Sequence, residues 1–332
     1  MRKASSFTLS VWKRIAIVAV LLVLAVLTTI GPQPEEETSA AVRLAAEHDF
    51  NVRPDGLMAL QELYDFQFDT VYDMVIGLTH EALGASDVDA ALGFATDGKI
   101  KQLDLIRLRD DRGFFSVHHA APVIREEVLA AYPVIAEAAG YVSAALDNDT
   151  MVRLNYLVGI EEREKYDVAK EWLQQGELQA ELQALKLDSE GETSVRVAAN
   201  QFTEYQILGN ILLIMLETLG IPVEDHLQAP LFTLSRDGVL AGDLDIYWEC
   251  SGADWYHVYS EEHTEDQPRV DGLEAVKQAA EYDAEQGLIW LEPAQFENTF
   301  AILMRKERAE ELGIGSISDL ANWARELQSD TR

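Results

Sequence analysis

Two groups of histidines are the first candidates for chemistry in this sequence, because imidazole binds metals and transfers protons near neutral pH. One group is the pair His118-His119, and the other is the segment 257–263 (HVYSEEH), which also contains two glutamates. A zinc site needs three or four convergent ligands, and neither group has the spacing of a known zinc motif. Both groups are therefore interpreted as polar loop segments, and we predict no metal site.

Cys250 is the only cysteine of the chain, which excludes an internal disulfide, a redox pair and a cysteine-rich zinc site. A cysteine nucleophile needs a neighbouring base, and no cysteine–histidine motif accompanies this residue. Pairs of carboxylates do not indicate a glycosidase site in this chain, because 58 of the 332 residues are Asp or Glu and such pairs are common. The sequence therefore predicts a packed thiol, no cofactor and no enzyme; an exported hydrolase is the weakest alternative.

The charge balance excludes one broad class of partner. The chain has 58 acidic and 26 basic residues, which gives a formal net charge of −32. Four of the basic residues precede the first acidic residue, Glu35, so the remainder of the chain is more acidic still. Such a surface repels phosphate backbones, and we expect no nucleic-acid partner. Because 48% of the residues are hydrophobic, this acidity does not indicate disorder.

The N-terminal segment predicts export. Residues 15–30 (IAIVAVLLVLAVLTTI) are uncharged and follow Lys13-Arg14. A helix of this length spans about 24 Å, and its uncharged flank can extend it towards the ~30 Å of a hydrocarbon core. We predict a single-pass membrane anchor over 1–34 and a polar tether over 35–43, with the rest on the extracytoplasmic side because basic residues stay in the cytoplasm. A cleaved signal peptide is the alternative.

Apolar runs alternate with amphipathic segments over the rest of the chain, which predicts an α/β fold with parallel sheets covered on both faces. Residues 187–193 are polar and glycine-containing, which predicts a linker. Thr203 is placed to cap a helix that stops at Gly220, and Ser316 with Asp319 forms a capping-box pattern. The predicted helices are 56–65, 126–145, 150–158, 166–175, 203–219, 272–285 and 318–328, and the predicted strands are 70–75, 87–94, 103–108, 195–199, 221–224, 244–248, 288–291 and 299–304.

Eight short strings resemble the motifs of one family. They are 53–56 (RPDG), 95–100 (ATDGKI), 110–115 (DDRGFF), 120–122 (AAP), 200–210 (NQFTEYQILGN), 245–252 (DIYWECSG), 290–301 (WLEPAQFENTFA) and 317–321 (ISDLA). Together they resemble the substrate-binding proteins of ABC importers for quaternary ammonium compounds, which bind glycine betaine, choline or proline betaine. The resemblance implies a two-lobed α/β fold of the periplasmic-binding-protein type (type II), with a ligand cleft between the lobes.

The order of these motifs predicts a circular permutation. In the usual family chain the segment that resembles 193–332 comes first and the segment that resembles 48–177 follows, whereas here the two are exchanged. Termini that lie close together on a surface can be joined at small entropic cost. The implied parts are one discontinuous lobe of 44–111 plus 298–332, a second lobe of 112–297, and a permutation linker at 178–192 within it.

The family holds its cationic ligand among four tyrosines, and the resemblance assigns their positions to Phe94, His118, Cys250 and Phe300. An aromatic face within ~6 Å of a cation contributes about 0.5–2 kcal/mol. Phe94 and Phe300 keep such a face and lose only the hydroxyl group. His118 keeps a ring that repels a cation when protonated, and Cys250 has no ring.

Two further positions, at which the family helps to hold a ligand carboxylate, carry Tyr205 and Ala253 in this chain. Tyr205 could also supply an aromatic face. Trp255, together with Trp248 and Tyr256, could do the same around Cys250. The competing interpretation is that Trp248 ends a core strand and that the other two rings pack a loop.

The sequence therefore predicts a binding protein that performs no chemistry. We expect an extracytoplasmic component of an ABC importer, which closes its lobes over a small quaternary ammonium or related zwitterionic or cationic solute. Its partners would be that osmolyte-like ligand, a permease subunit and the cell membrane. A membrane-tethered solute sensor with the same fold is the alternative, because none of the four tyrosine positions retains tyrosine.

Overall fold

Two five-stranded sheets organise the part of the chain described by the structure, which is a computed structural model covering residues 41–189, 191–227, 232–251 and 272–330. The strands are β1 (Arg43–Ala46), β2 (Thr70–Asp73), β3 (Ala90–Phe94), β4 (Leu105–Arg107), β5 (Ala120–Arg125), β6 (Val195–Ala198), β7 (Val223–His226), β8 (Ile246–Cys250), β9 (Leu288–Trp290) and β10 (Phe300–Arg305). The helices are α1 (His48–Val52), α2 (Leu57–Tyr64), α3 (Leu78–Gly84), α4 (Lys99–Gln102), α5 (Glu126–Ala131), α6 (Val134–Ala145), α7 (Asn148–Gly159), α8 (Lys165–Leu173), α9 (Gly176–Ala184), α10 (Thr203–Leu219), α11 (Phe232–Ala241), α12 (Gly272–Ala284), α13 (Lys306–Leu312) and α14 (Ile317–Asp330).

The first lobe is built on a sheet with the strand order β2-β1-β3-β10-β4. The second lobe is built on a sheet with the order β7-β6-β8-β5-β9. In the first sheet β1 runs parallel to β2 and β3, but β10 runs antiparallel to both of its neighbours. In the second sheet β5 has the same position and the same antiparallel direction. The prediction of parallel sheets is therefore wrong, because each sheet is completed by one strand that arrives from the other lobe.

Two segments connect the lobes, one between β4 and β5 and the other between β9 and β10. They run side by side: His119 and Glu297 form an antiparallel bridge, and the Asn298 N–H donates to the His118 carbonyl at 2.8 Å. The Thr299 hydroxyl also donates to the Ser116 carbonyl at 2.6 Å. These paired segments are the only covalent links between the two sheets among the described residues, and they place residues 114–119 and 298–299 between the lobes.

Helix α10 forms the centre of the second lobe's core, which confirms the prediction of a buried helix over 203–219. Apolar side chains cover most of its circumference, and nearly all of them are buried. The predicted stop is confirmed, because Gly220 adopts the left-handed conformation with φ of 81°. The start differs by one residue, since the N-cap position is Phe202 and Thr203 is already helical. The capping box of α14 is confirmed by the Asp319 N–H, which donates to the Ser316 hydroxyl at 3.2 Å.

Two predicted segments differ from the structure for local physical reasons. The helix predicted over 126–145 is two helices, because Pro133 lacks the N–H that would continue α5 and instead precedes the first residue of α6. The segment 178–192, predicted as a linker, begins within α9, where Leu178 and Leu182 are buried against the core. Beyond α9, the Leu187 N–H donates to the Leu219 carbonyl at 2.9 Å. This segment is therefore packed onto the second lobe.

The predicted membrane anchor at 1–34 lies outside the described residues, as does most of the predicted tether. Among the residues that the structure does describe, no helix combines the length and the apolar character needed to cross a bilayer.

Candidate ligand-binding site

A cavity of about 490 Å³ lies between the lobes, where strand ends of both sheets meet the start of α10. We call it the phenyl chamber. Its lining residues are Arg53, Asp55, Ala59, Phe94, Phe114, Phe115, Ser116, His118, Tyr205, Cys250, Asn298, Thr299 and Phe300. Five of the seven side chains predicted for the site line this chamber, so the fold brings together residues that are distant in the sequence.

Phe94 and Phe300 form one wall of the phenyl chamber. Phe94 is the last residue of β3, Phe300 is the first residue of β10, and the antiparallel register places them directly opposite each other. Their rings stack with centroids 4.8 Å apart and planes inclined by 18°. Phe94 remains 41% exposed, so the pair presents hydrocarbon faces to the cavity.

Phe114 and Phe115 extend this aromatic surface from the first connecting segment. Their ring centroids lie 5.0 Å apart in an edge-to-face arrangement, and Phe115 stacks on the buried Phe50 at 6.1 Å. The chain makes a tight turn at Gly56, next to these rings. A Cβ atom on Gly56 would lie 2.0 Å from the Phe50 carbonyl oxygen. Gly56 is therefore required for the turn that carries Arg53 to the cavity.

The second lobe contributes Tyr205 and Cys250 to the cavity, and the first connecting segment contributes His118. Tyr205 projects from the first turn of α10 and is largely buried. Cys250 ends β8 opposite Ala120 of β5, and its thiol is buried, as predicted. His118 lies in the first connecting segment and is half-buried.

Of the other aromatic candidates, Trp248 does not line the described cavity. Trp248 is only 2% exposed and belongs to the core of the second lobe, which agrees with its interpretation as part of a core strand. Ala253, Trp255 and Tyr256 lie outside the described residues, as does the segment 257–263. Among the residues that are described, no group of His, Cys, Asp and Glu is arranged to hold a metal ion.

Arg53 and Asp55 were not predicted as site residues, yet both line the phenyl chamber. The Arg53 Nε lies 3.0 Å from Asp55 Oδ1, and both side chains remain about half exposed. The terminal amino groups of the Arg53 guanidinium are additional donors that suit a carboxylate. The RPDG string was the one signal in the sequence, but its pattern is that of a turn and only the fold shows which cavity it faces.

Glu204, next to Tyr205, links both lobes through hydrogen bonds. Its carboxylate accepts from the Asn155 side chain at 2.8 Å and from the Asn298 side chain at 2.7 Å. The same Asn155 amide donates to the Thr96 carbonyl of the first lobe at 2.9 Å. Burial raises the pKa of Glu204 above its usual range, although hydrogen bonds from Thr96, Asn155 and Asn298 act in the opposite direction.

The lobes also touch beside this network. A Cβ atom on Gly98 would lie 2.6 Å from the Tyr156 backbone nitrogen in α7, so only glycine allows the two backbones this separation. Arg107 of the first lobe also pairs with Asp149 of the second at 2.6 Å. The site is thus enclosed by two lobes that touch directly.

Comparison with known proteins identifies the family of this chain. A sequence profile described as the substrate-binding domain of the ABC-type glycine betaine transport system matches two segments, residues 32–175 and 193–332. Its members bind solutes for transport and are not enzymes.

Several individual proteins are also similar. An ergothioneine transport permease/ergothioneine binding protein of Helicobacter pylori is 35% identical over 129 residues, which are 39% of this chain and 23% of that protein. A glycine-betaine-binding protein of Pseudomonas aeruginosa is 34% identical over 151 residues, or 45% of this chain and 49% of that protein. A crystal structure of a glycine betaine/carnitine/choline ABC transporter is 31% identical over 41% of this chain and 50% of that one, with a TM-score of 0.37.

The chain spans between 23% and 49% of the length of these two curated relatives. The family profile, in contrast, matches well over half of the chain, and the described residues form the two-lobed, periplasmic-binding-protein-like α/β fold with mixed sheets. The chain therefore belongs to the substrate-binding domains of ABC-type glycine betaine transport systems.

Proposed function

We propose that this protein is the extracytoplasmic solute-binding component of an ABC importer and that it binds a small quaternary ammonium or related cationic or zwitterionic solute, with choline and glycine betaine as model ligands. The observation that carries this proposal is the phenyl chamber, which assembles the aromatic faces of Phe94, Phe114, Phe115 and Phe300 between two lobes. The names of the similar curated proteins, which refer to glycine betaine and ergothioneine, support the same ligand class.

The chemistry of the chamber suits such a ligand. A quaternary ammonium group has no N–H to donate, so it is recognised through dispersion and the negative faces of aromatic rings. Each phenyl face contributes about 0.5–2 kcal/mol, and the larger value applies when closure removes water. Arg53 offers the matching contact for a carboxylate at the other end of a zwitterion.

Binding and lobe closure are coupled in this arrangement. Phe94 and Phe300 belong to the first lobe, whereas Tyr205 and Cys250 belong to the second. A ligand in contact with all four stabilises the closed arrangement by the difference between its affinities for the closed and open states. The closed form is then the one that docks on a permease subunit, and no cofactor takes part.

The location of the protein is also part of the proposal. The uncharged segment 15–30 behind Lys13-Arg14 favours a membrane anchor over 1–34, with the binding lobes in the extracytoplasmic space. A formal charge of −32 suits an exported protein that attracts cations, although this long-range attraction is screened within about 8–10 Å at physiological salt.

A membrane-tethered solute sensor is the second candidate. It is favoured by the loss of tyrosine at Phe94, His118, Cys250 and Phe300, since a sensor keeps the fold without the transport ligand. An importer component requires a permease and a sensor does not, so co-purification with a permease subunit distinguishes the two.

The chain order is further proposed to be a circular permutation of the usual family order. The two separate profile matches support it, because they are divided at 176–192, where α9 begins. The sheets are compatible with it as well, since the first lobe takes strands from 43–107 and from 300–305, while the strands of the second lobe lie between 120 and 290.

The permutation predicts that a rearranged gene, with 193–332 placed before 44–192 and joined by a short Gly/Ser linker, yields a folded protein, since this order keeps the buried side chains of α9. Its affinity for choline should equal that of the parent within about twofold, because both orders close the same sheets. The control is a chain reopened inside α10, which should not fold because it cuts a buried core helix. Failure of the first rearrangement to fold, as judged by circular dichroism, would contradict the permutation.

Phe300→Leu should weaken choline binding by about 2- to 30-fold, which corresponds to the loss of one aromatic face. Phe300→Tyr keeps the face and should bind choline at least as well as the parent. Isothermal titration calorimetry measures both. An unchanged affinity in Phe300→Leu, with Phe300→Tyr folded equally well, would show that this ring does not contact the cation.

Arg53→Gln should weaken glycine betaine binding by about tenfold or more, because a charge-assisted hydrogen bond to the ligand carboxylate is lost. Choline has no carboxylate, and its affinity should change less than about twofold. Each ligand is therefore the control for the other in the same variant. Equal losses for both ligands would mean that Arg53 supports the cavity and does not bind the carboxylate.

A further inference from the structure

We propose that the ligand of this protein is an elongated dication, whose second, primary ammonium end lies in another chamber between the lobes. This inference rests on the proposed function, since the phenyl chamber holds the first, quaternary end. The other cavity, of about 610 Å³, is called here the acidic chamber. The residues that matter for its chemistry are Phe94, Asp97, Phe202, Glu204 and Asn298.

The two chambers are neighbours with a common wall. Phe94, Tyr205 and Asn298 line both of them. Small-molecule sites usually have volumes of about 300–1,000 Å³, and each chamber alone already lies in this range. A compact osmolyte in the phenyl chamber therefore leaves the acidic chamber unfilled, whereas an alkyl chain that passes Phe94 connects the two.

Asp97 lines the acidic chamber, and its two carboxylate oxygens have different surroundings. Its Oδ1 accepts the Lys99 backbone N–H at 2.8 Å. Its Oδ2 lies 3.7 Å from His80 Nε2, beyond hydrogen-bond distance, and none of the described residues donates a hydrogen bond to it. His80 is fully buried, and burial lowers its pKa, so the imidazole stays neutral and does not neutralise Asp97.

Glu204 adds a second carboxyl group from the opposite lobe. After burial and its hydrogen bonds, the charge of Asp97 is a further cause that raises the pKa of Glu204, so the two carboxylates repel each other. A ligand ammonium between them would remove this repulsion. Lys99 also lines the chamber, but its ammonium group already donates to Glu81 at 2.6 Å and to the Gly77 carbonyl at 2.9 Å.

Exposed aromatic carbon completes the chamber. Phe202 is 55% exposed and Phe94 is 41% exposed, so both offer ring surface to an alkyl chain or to a cation. The acidic chamber thus combines negative charge with phenyl faces. A primary ammonium group on a short methylene chain is the ligand group that satisfies both, because it donates hydrogen bonds to carboxylates and buries its methylenes on the rings.

The inference is tested with three probes of increasing reach, namely tetramethylammonium, pentyltrimethylammonium and (5-aminopentyl)trimethylammonium, titrated calorimetrically into the full chain. The terminal amine should increase affinity by about tenfold over the pentyl compound, as expected for one charge-assisted hydrogen bond. Asp97→Asn keeps the bond to the Lys99 N–H and should abolish that gain, while tetramethylammonium binding stays unchanged. Asp87→Asn, which removes an exposed carboxylate from the same lobe, should preserve the gain.

The outcomes separate the two proposals. If tetramethylammonium binds but the two longer probes have equal affinity, the acidic chamber does not bind an ammonium group and the proposed function stands. The dication is likewise overturned if the amine gains affinity equally in the parent and in Asp97→Asn. If none of the three probes binds, the proposed function fails and this inference fails with it.

Discussion

The antiparallel pairing of β10 with β3 and β4 is the interaction on which the rest of the structure depends. Because β10 enters the first sheet from the second lobe, its first residue, Phe300, is held opposite the last residue of β3, Phe94. β5 completes the second sheet in the same way, directly after the segment that carries Phe114, Phe115 and His118. The strands that close the sheets thus also position the binding residues, and the site cannot form unless both lobes are complete.

The same constraint explains why the site is suited to closure. The two connecting segments are hydrogen-bonded to each other, so the lobe rotation that the proposed closure requires would take place in a short stretch around 114–119 and 298–299. Away from this stretch the lobes meet through Gly98 at α7 and through the contacts of Asn155. The long-range field of the overall acidity is screened within about 8–10 Å, so only charges inside the cleft would act at full strength on a solute there.

Much of the fold could be predicted because it is encoded locally. The apolar circumference of α10 and the glycine after it define a buried helix and its end, and the capping box of α14 is readable from two residues. Five of the seven candidate site residues meet in one cavity because the family motifs stand at strand ends. The helix, its end and the capping box depend on neighbours in the sequence, whereas the five site residues are distant in the sequence and were predicted through the family resemblance.

The features that were missed depend on tertiary pairing. The direction of a strand has no local signature in the sequence. β5 was not predicted at all, because it contains Pro122, and a proline argues against a strand with two neighbours. In the structure the Pro122 carbonyl still accepts the Leu291 N–H at 2.9 Å. In the sequence Glu204 looks like any other acidic residue in the first turn of a helix. Its hydrogen bonds from Asn155 and Asn298 are visible only in the structure. Arg53 and Asp97 likewise belong to turn-like strings, and only the packing of two lobes shows which cavities they face.

The central claim, that the cleft recognises positive charge through aromatic faces, is tested most directly by comparing choline with its uncharged isostere 3,3-dimethylbutan-1-ol in a thermal-shift measurement on the full chain. The two molecules have the same shape, so packing alone would treat them equally. Choline at about 100 times its dissociation constant should stabilise the protein by about 2.7 kcal/mol, and the isostere at the same concentration should stabilise it much less. Equal shifts, or no shift with either compound, would contradict recognition of positive charge by the cleft.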